Sequence, residues 1–290
     1  MADPDTHIPG VLALHEPRGD ALPLMFDSPH SGNLYPDDFA HDCPRDKIRW
    51  GEDAFIDEVY AEAPDHGAWL LAAEFPRTYI DPNRALEDMD PGMVDGPWPG
   101  DVHDNPKSAE GIGLIWANAG AGVAFYDSKL AVDHVQARIE NYWRPYHRHL
   151  EQVAETILAR WGRRWHINCH SMYSEAFAET LERRDVPAED IVLGSRDGTC
   201  CGPEFVAVIG DAFRAEGLSV AVNKTFKGVE LVRKLGDPAA GCHSLQIEID
   251  RRLYMDEWAI EKNSGFDELH AAVSRVVAAA AAYVRSETES

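Results

Sequence analysis

Along this 290-residue chain, short apolar runs keep giving way to longer stretches with helical spacing. The short runs predict strands over Ala21–Ser28, Ala68–Ala73, Arg77–Ile80, Trp165–Met172, Ile191–Gly194, Leu218–Asn223 and His243–Asp250. Spacing of three and four predicts a helix over Asp53–Ala63, where Phe55, Val59 and Tyr60 share one side, and others over Lys129–Trp161, Pro203–Ala215 and Phe266–Val284. Pro145 predicts a kink in the Lys129–Trp161 helix. Met1–Glu16 reads as a polar lead-in. Asp88–Gly113, rich in Asp, Pro and Gly, reads as a long loop of a kind that is uncommon without a function. Strands alternating with helices predict an α/β three-layer sandwich, a mixed sheet with helices on both faces. No repeat or Ser/Gly linker divides the chain, so residues 1–290 read as one domain.

Two predicted strands carry an unusual pattern. In "WHINCHSM", His166, Asn168 and His170 alternate with Trp165, Ile167 and Cys169. In "LQIEID", Gln246, Glu248 and Asp250 alternate with Leu245, Ile247 and Ile249. A period of two puts each polar trio on one face. A wet, half-exposed strand explains either trio alone. Two in one α/β chain, with a first strand that runs into "FDSPHSG", point instead to a shared polar cleft. A cleft holding two histidines and acids suits catalytic zinc, which takes three His, Asp or Glu ligands and keeps a fourth position open. His30 and His170 stand at strand ends, and either Glu52 or Asp53 of "GEDAF" could supply the carboxylate; no HExxH spacing occurs. "RTYIDPNR" sets Arg77 and Arg84 about an Asp81-Pro82-Asn83 turn, and the arginine fork suits carboxylates. "NKTFKG" offers Lys224 and Lys227 as a second anion contact. Other signals fail on spacing. "GIGLIW" lacks the third glycine of a dinucleotide loop. "DMDPGMVDGPWP" has Met93 and Pro99 where a calcium loop needs Gly and Glu.

Charge narrows the ligand. Twenty-seven basic against 50 acidic residues leave a net −23, which repels nucleic acid and anionic membrane. An anionic small molecule therefore needs local arginine or lysine. Five scattered cysteines with no CxxC pair predict reduced thiols in the cytoplasm. No basic region precedes an apolar run, so no signal peptide is expected, and the apolar run Val276–Val284 is too short to span a bilayer.

Taken in order, "DSPHSG" with "LYP", "EDAFIDEVY", "IDPNR", "NCHSM", "VLGSRDGT", "NKTFKG" and "LQIEIDRRLYMDE" resemble the N-formylglutamate amidohydrolase family from about Ala21 to Glu257. The resemblance implies a fold similar to zinc carboxypeptidases and aspartoacylases. It also implies hydrolysis of an anionic N-acyl amino acid, typically N-formylglutamate to formate and glutamate in histidine breakdown. Carried over by residue, it implies zinc on His30, Asp53 and His170, Glu248 as general base, and Arg84 beside Asn83 as a carboxylate or oxyanion contact, with Lys227 assisting. Arg77 and Arg251 stand in reserve. The chain departs from the family pattern at Thr225, where proline is usual, and at Val229, where a second glycine is expected. A deacylase for another acyl group, or a binding protein without activity, fits the same motifs.

Overall fold

The computed structural model describes residues 3–39, 41–118, 123–181 and 186–289. Its frame is one mixed sheet built from β1 (Thr6–Ile8), β2 (Leu12–His15), β3 (Leu24–Ser28), β4 (Trp69–Ala73), β5 (Arg164–Met172), β6 (Ile191–Gly194), β7 (Val220–Val222) and β8 (Cys242–Asp250). The strands lie in the order β1-β2-β4-β3-β5-β8-β6-β7. The central four, β4, β3, β5 and β8, run parallel, whereas β2 and β6 pair with them antiparallel.

The two faces bury different helices. α1 (Ile56–Val59), α3 (Pro203–Ala215) and α5 (Phe266–Glu289) join Phe26, Ile167 and Ile247 in one apolar core. α2 (Arg144–Trp161) and α4 (Glu230–Leu235) pack with Met25 and Leu71 in a second. The predicted three-layer arrangement therefore holds.

Four local expectations need correction. The Met1–Glu16 lead-in contains β1 and β2, an antiparallel hairpin on the sheet edge. Its strands of three and four residues are too short for period two to show. Arg77–Ile80 is a turn closed by a Tyr79 N–H to Pro76 carbonyl bond (2.9 Å), not a strand. Tyr79 and Ile80 are apolar because the turn is buried. The long helix over Lys129–Trp161 breaks into Val132–Arg138, a π-helical turn Ile139–Trp143, and α2 with Pro145 in its first turn. Such π turns gather at functional sites. The Asp88–Gly113 stretch holds a short strand, Val94–Asp95, paired with Leu130–Ala131, and one helical turn, Pro106–Ala109.

Candidate active site

In an open α/β sheet, the crevice beyond the carboxyl ends of the strands opens where strand order reverses. Here the chain steps from β3 outward to β4 and returns to β5 on the other side of β3, so the crevice lies over β3 and β5. His30 follows β3 by two residues, and His170 lies near the end of β5. The loop after β3 passes very close to the end of β4. A Cβ on Gly32 would sit 2.3 Å from the Phe75 carbonyl oxygen, so only glycine fits. The Asp53 N–H donates to the His30 carbonyl (2.9 Å), which ties the "GEDAF" loop to this one.

His30, Asp53 and His170 converge there, each offering a ligand atom within 4.8 Å of the others. Nδ1 of His170 lies 3.0 Å and Nδ1 of His30 3.3 Å from Oδ2 of Asp53. The other oxygen of Asp53 accepts from Arg251 (2.9 Å) and Ser171 (3.2 Å). Each histidine is held at its far nitrogen: Nε2 of His30 by Asp81 (2.8 Å), Nε2 of His170 by Asn168 (2.6 Å). Partners at the distal nitrogen are how proteins orient metal-binding imidazoles. Two imidazoles and one carboxylate, all buried and braced, make a donor set that fits a tetrahedral metal with an open position. Glu52, the other carboxylate considered, turns away to Tyr35 (2.6 Å) and Arg49 (3.2 Å).

The electrostatics of the acids diverge. Burial works to raise the Asp53 carboxyl, but its contacts with His170 and His30 and the charge of Arg77 hold it well below the usual range. Asp81 is likewise held low against burial, by Arg77 and His30. Burial, reinforced by the charge of Asp53, pushes Glu248 well above the usual range. Neighbouring carboxyls pushed apart in this way are the ordinary signature of divided acid–base roles. Burial also lowers His170, to about 4, so its ring is neutral near pH 7.

A cavity of about 200 Å³ is lined by the triad together with Arg84, Gln246 and Glu248. β5 and β8 are in register, so Glu248 stands beside His170 and Gln246 beside Asn168. The polar trios are thus on one shared face as expected, but that face is buried rather than wet. Gln246 donates to one carboxylate oxygen of Glu248 (2.8 Å). Asn83 lines the cavity, and its amide nitrogen faces Nε2 of His170 at 3.0 Å. Arg84 also lines it; Nε and Nη1 donate to the Ile112 and Asn83 carbonyls, and Nη2 has no hydrogen-bond partner among the described residues. Lys227 is on the rim, half exposed and paired with Asp197 (2.9 Å). The two reserve arginines are already engaged, Arg77 with Asp81 (2.9 Å) and Arg251 with Asp53.

Sequence reasoning missed Asp81 as the partner of His30, because "DPN" is a turn signal whatever its aspartate does. It also missed Arg251 and Ser171 as the clamp on Asp53. α2 and the π turn before it brace the Asp81–Arg84 turn from behind: His147 of α2 donates to the Pro82 carbonyl (2.8 Å), and the indole of Trp143, in the π turn, to that of Arg84 (3.0 Å).

Comparisons with known proteins bear on the chain as a whole. The family model for N-formylglutamate amidohydrolase matches residues 22–255. A solved N-formylglutamate amidohydrolase from Ralstonia eutropha JMP134 shares 44% identity, covering 96% of this chain and 99% of its own, with a TM-score of 0.92. An N-formylglutamate deformylase of Pseudomonas putida is 30% identical over 253 residues, 85% of this chain and 86% of that protein. A gene product of Agrobacterium tumefaciens at 15% identity, covering 97% of this chain and 96% of its own, has a TM-score of 0.65 and shares the fold. The chain belongs to the N-formylglutamate amidohydrolase family, whose members are hydrolases acting on an amide.

Proposed function

We propose that this protein is a zinc-dependent deformylase that hydrolyses N-formylglutamate to formate and glutamate. The observation that carries the reading is one cavity in which His30, Asp53 and His170 converge beside Glu248. Zinc held by these three side chains would supply Lewis acidity and bring the pKa of a bound water towards neutrality, to about 7. The remaining work falls to the chain. Glu248 takes the proton from the attacking water through the carboxylate oxygen that Gln246 leaves free, then returns it to the departing amine nitrogen. Arg84 points Nη2 at a substrate carboxylate, and Lys227 at the rim favours the second. These cations are local exceptions in a chain of net charge −23. We also place the enzyme in the cytoplasm, on its unpaired cysteines.

Thr225 and Val229, the two departures from the family pattern, line the same cavity, so the acyl group is the point to test. The experiment is elemental analysis of the purified protein, followed by assay of N-formyl-, N-acetyl- and N-succinylglutamate and of N-formyl amino acids with neutral side chains. The expected result is one zinc per chain and release of formate from N-formylglutamate above all others. Faster cleavage of a larger acyl group would move the activity to another deacylase, and no turnover by zinc-loaded protein would leave a binding protein.

A further inference from the structure

Behind His170 lies a chain of hydrogen bonds that the reaction does not touch. Asn168 Oδ1 is 2.6 Å from Nε2 of His170, and its Nδ2 donates to Oδ1 of Asp27 (2.7 Å). Asp27 is fully buried at the sheet centre, where His166 (2.8 Å) and Tyr146 (2.7 Å) complete its contacts. Against the upward pull of burial, these donors hold its carboxyl below the usual range. A carboxylate only accepts, so the amide nitrogen of Asn168 must face Asp27 and its oxygen must face His170. A second contact agrees. The Leu231 N–H claims Oδ1 of Asn83 (2.9 Å), which turns the Asn83 amide nitrogen towards Oδ1 of Asn168 (3.3 Å).

We infer that Asn168, anchored by Asp27, is a positioning residue that keeps the proton of His170 on Nε2 and so leaves Nδ1 as a lone-pair donor facing Asp53. The logic is geometric. Without the Asn168 oxygen, Nε2 of His170 faces only the Asn83 amide nitrogen, a donor 3.0 Å away. The stable tautomer then carries its proton on Nδ1, where Oδ2 of Asp53 waits at 3.0 Å. That proton occupies the direction in which a metal would be bound.

The inference rests on the proposed zinc site, and the test separates the two. Zinc affinity of the full chain is measured by chelator competition. Wild type must bind zinc; if it does not, the metal reading fails and takes this inference with it. Given that it does, Asn168→Leu is expected to weaken zinc binding about ten- to a hundredfold, the range for lost outer partners of ligands. Adding Asn83→Asp to Asn168→Leu puts an acceptor beside Nε2 and should restore most of the affinity. Tyr146→Phe, which removes a bond to the same Asp27 but leaves Asn168 in place, should bind zinc as wild type does. Wild-type affinity in Asn168→Leu, or no recovery in a folded double variant, overturns the inference. Nitrogen-15 spectra of the zinc-loaded wild type provide a readout that needs no variant: the His170 proton is expected on Nε2, and a proton on Nδ1 refutes the assignment.

Discussion

The two faces of β5 and β8 are equally buried and differ in almost everything else. One carries Trp165, Ile167, Cys169, Leu245, Ile247 and Ile249 into the core under α3 and α5. The other carries His166, Asn168, His170, Ser244, Gln246 and Glu248 beneath α2 and into the cavity. On the first face, burial itself stabilises, at roughly 25 cal/mol per Å² of apolar surface, and shape is the only constraint. On the second, burial costs free energy unless each polar group finds a partner. His166 meets Ser244 (2.7 Å) and Asp27, Asn168 meets Asp27 and His170, and Gln246 meets Glu248. The contrast teaches that residues on one strand can be equally inaccessible and yet form apolar packing on one side and a hydrogen-bonded polar network at a cavity on the other.

Substitutions on each face should separate these roles. The largest effect is expected from Glu248→Gln, which keeps the shape and cannot accept a proton. kcat should fall on the order of a hundred- to ten-thousandfold, with zinc content and thermal midpoint near wild type. A variant with full kcat would remove Glu248 from the reaction. One residue earlier, Ile247→Ala should do the reverse. It opens a hole in the core, costs about 2–5 kcal/mol of stability in denaturant titration, and leaves kcat per folded molecule intact. Equal damage to kcat from both changes would dissolve the distinction between the faces.

A further effect, seen only as the pH falls, concerns the brace under the Asp81–Arg84 turn. Burial, aided by Lys234, lowers His147 to about 3. The unfolded chain binds a proton there from about pH 6.5 downwards, which the folded chain refuses. The stabilisation due to neutral His147 is therefore complete above pH 6.5 and is lost as pH falls towards 3, by about 1.4 kcal/mol per unit. Unfolding curves of wild type and His147→Gln between pH 7 and 4 check this. The stability difference should shift against wild type as pH drops, and a difference independent of pH would mean that His147 takes up its proton in the folded state.

Much of the fold was legible because its signals are local. β5, β6, β8, α3 and α5 emerged within a few residues of their expected positions. Each is long enough, or apolar enough, for periodicity to speak. β1 and β2 were not legible, being edge strands of three and four residues. The break in the long helix was read from Pro145, but the π turn precedes that proline, and nothing in the residue pattern marks a helix that gains a residue per turn.

For the site, the sequence by itself determined the cast: histidines after β3 and on β5, acids on β8, and arginines about a proline turn, in an order that resembles one family. Alternation alone put His166, Asn168 and His170 on one face, since side-chain direction along a strand follows from covalent geometry. Only the tertiary structure decided partners. It set Asp53 rather than Glu52 beside the two histidines, gave Asp81 to His30, and committed Arg251 to Asp53, while Nη2 of Arg84, which lines the cavity, has no hydrogen-bond partner among the described residues. These choices join residues far apart in the chain, such as Asp53 and Arg251, separated by 198 positions. Hydrogen bonds act over about 3 Å and depend on angle. Which groups satisfy one another is therefore settled when the strands come into register and the loops close over them.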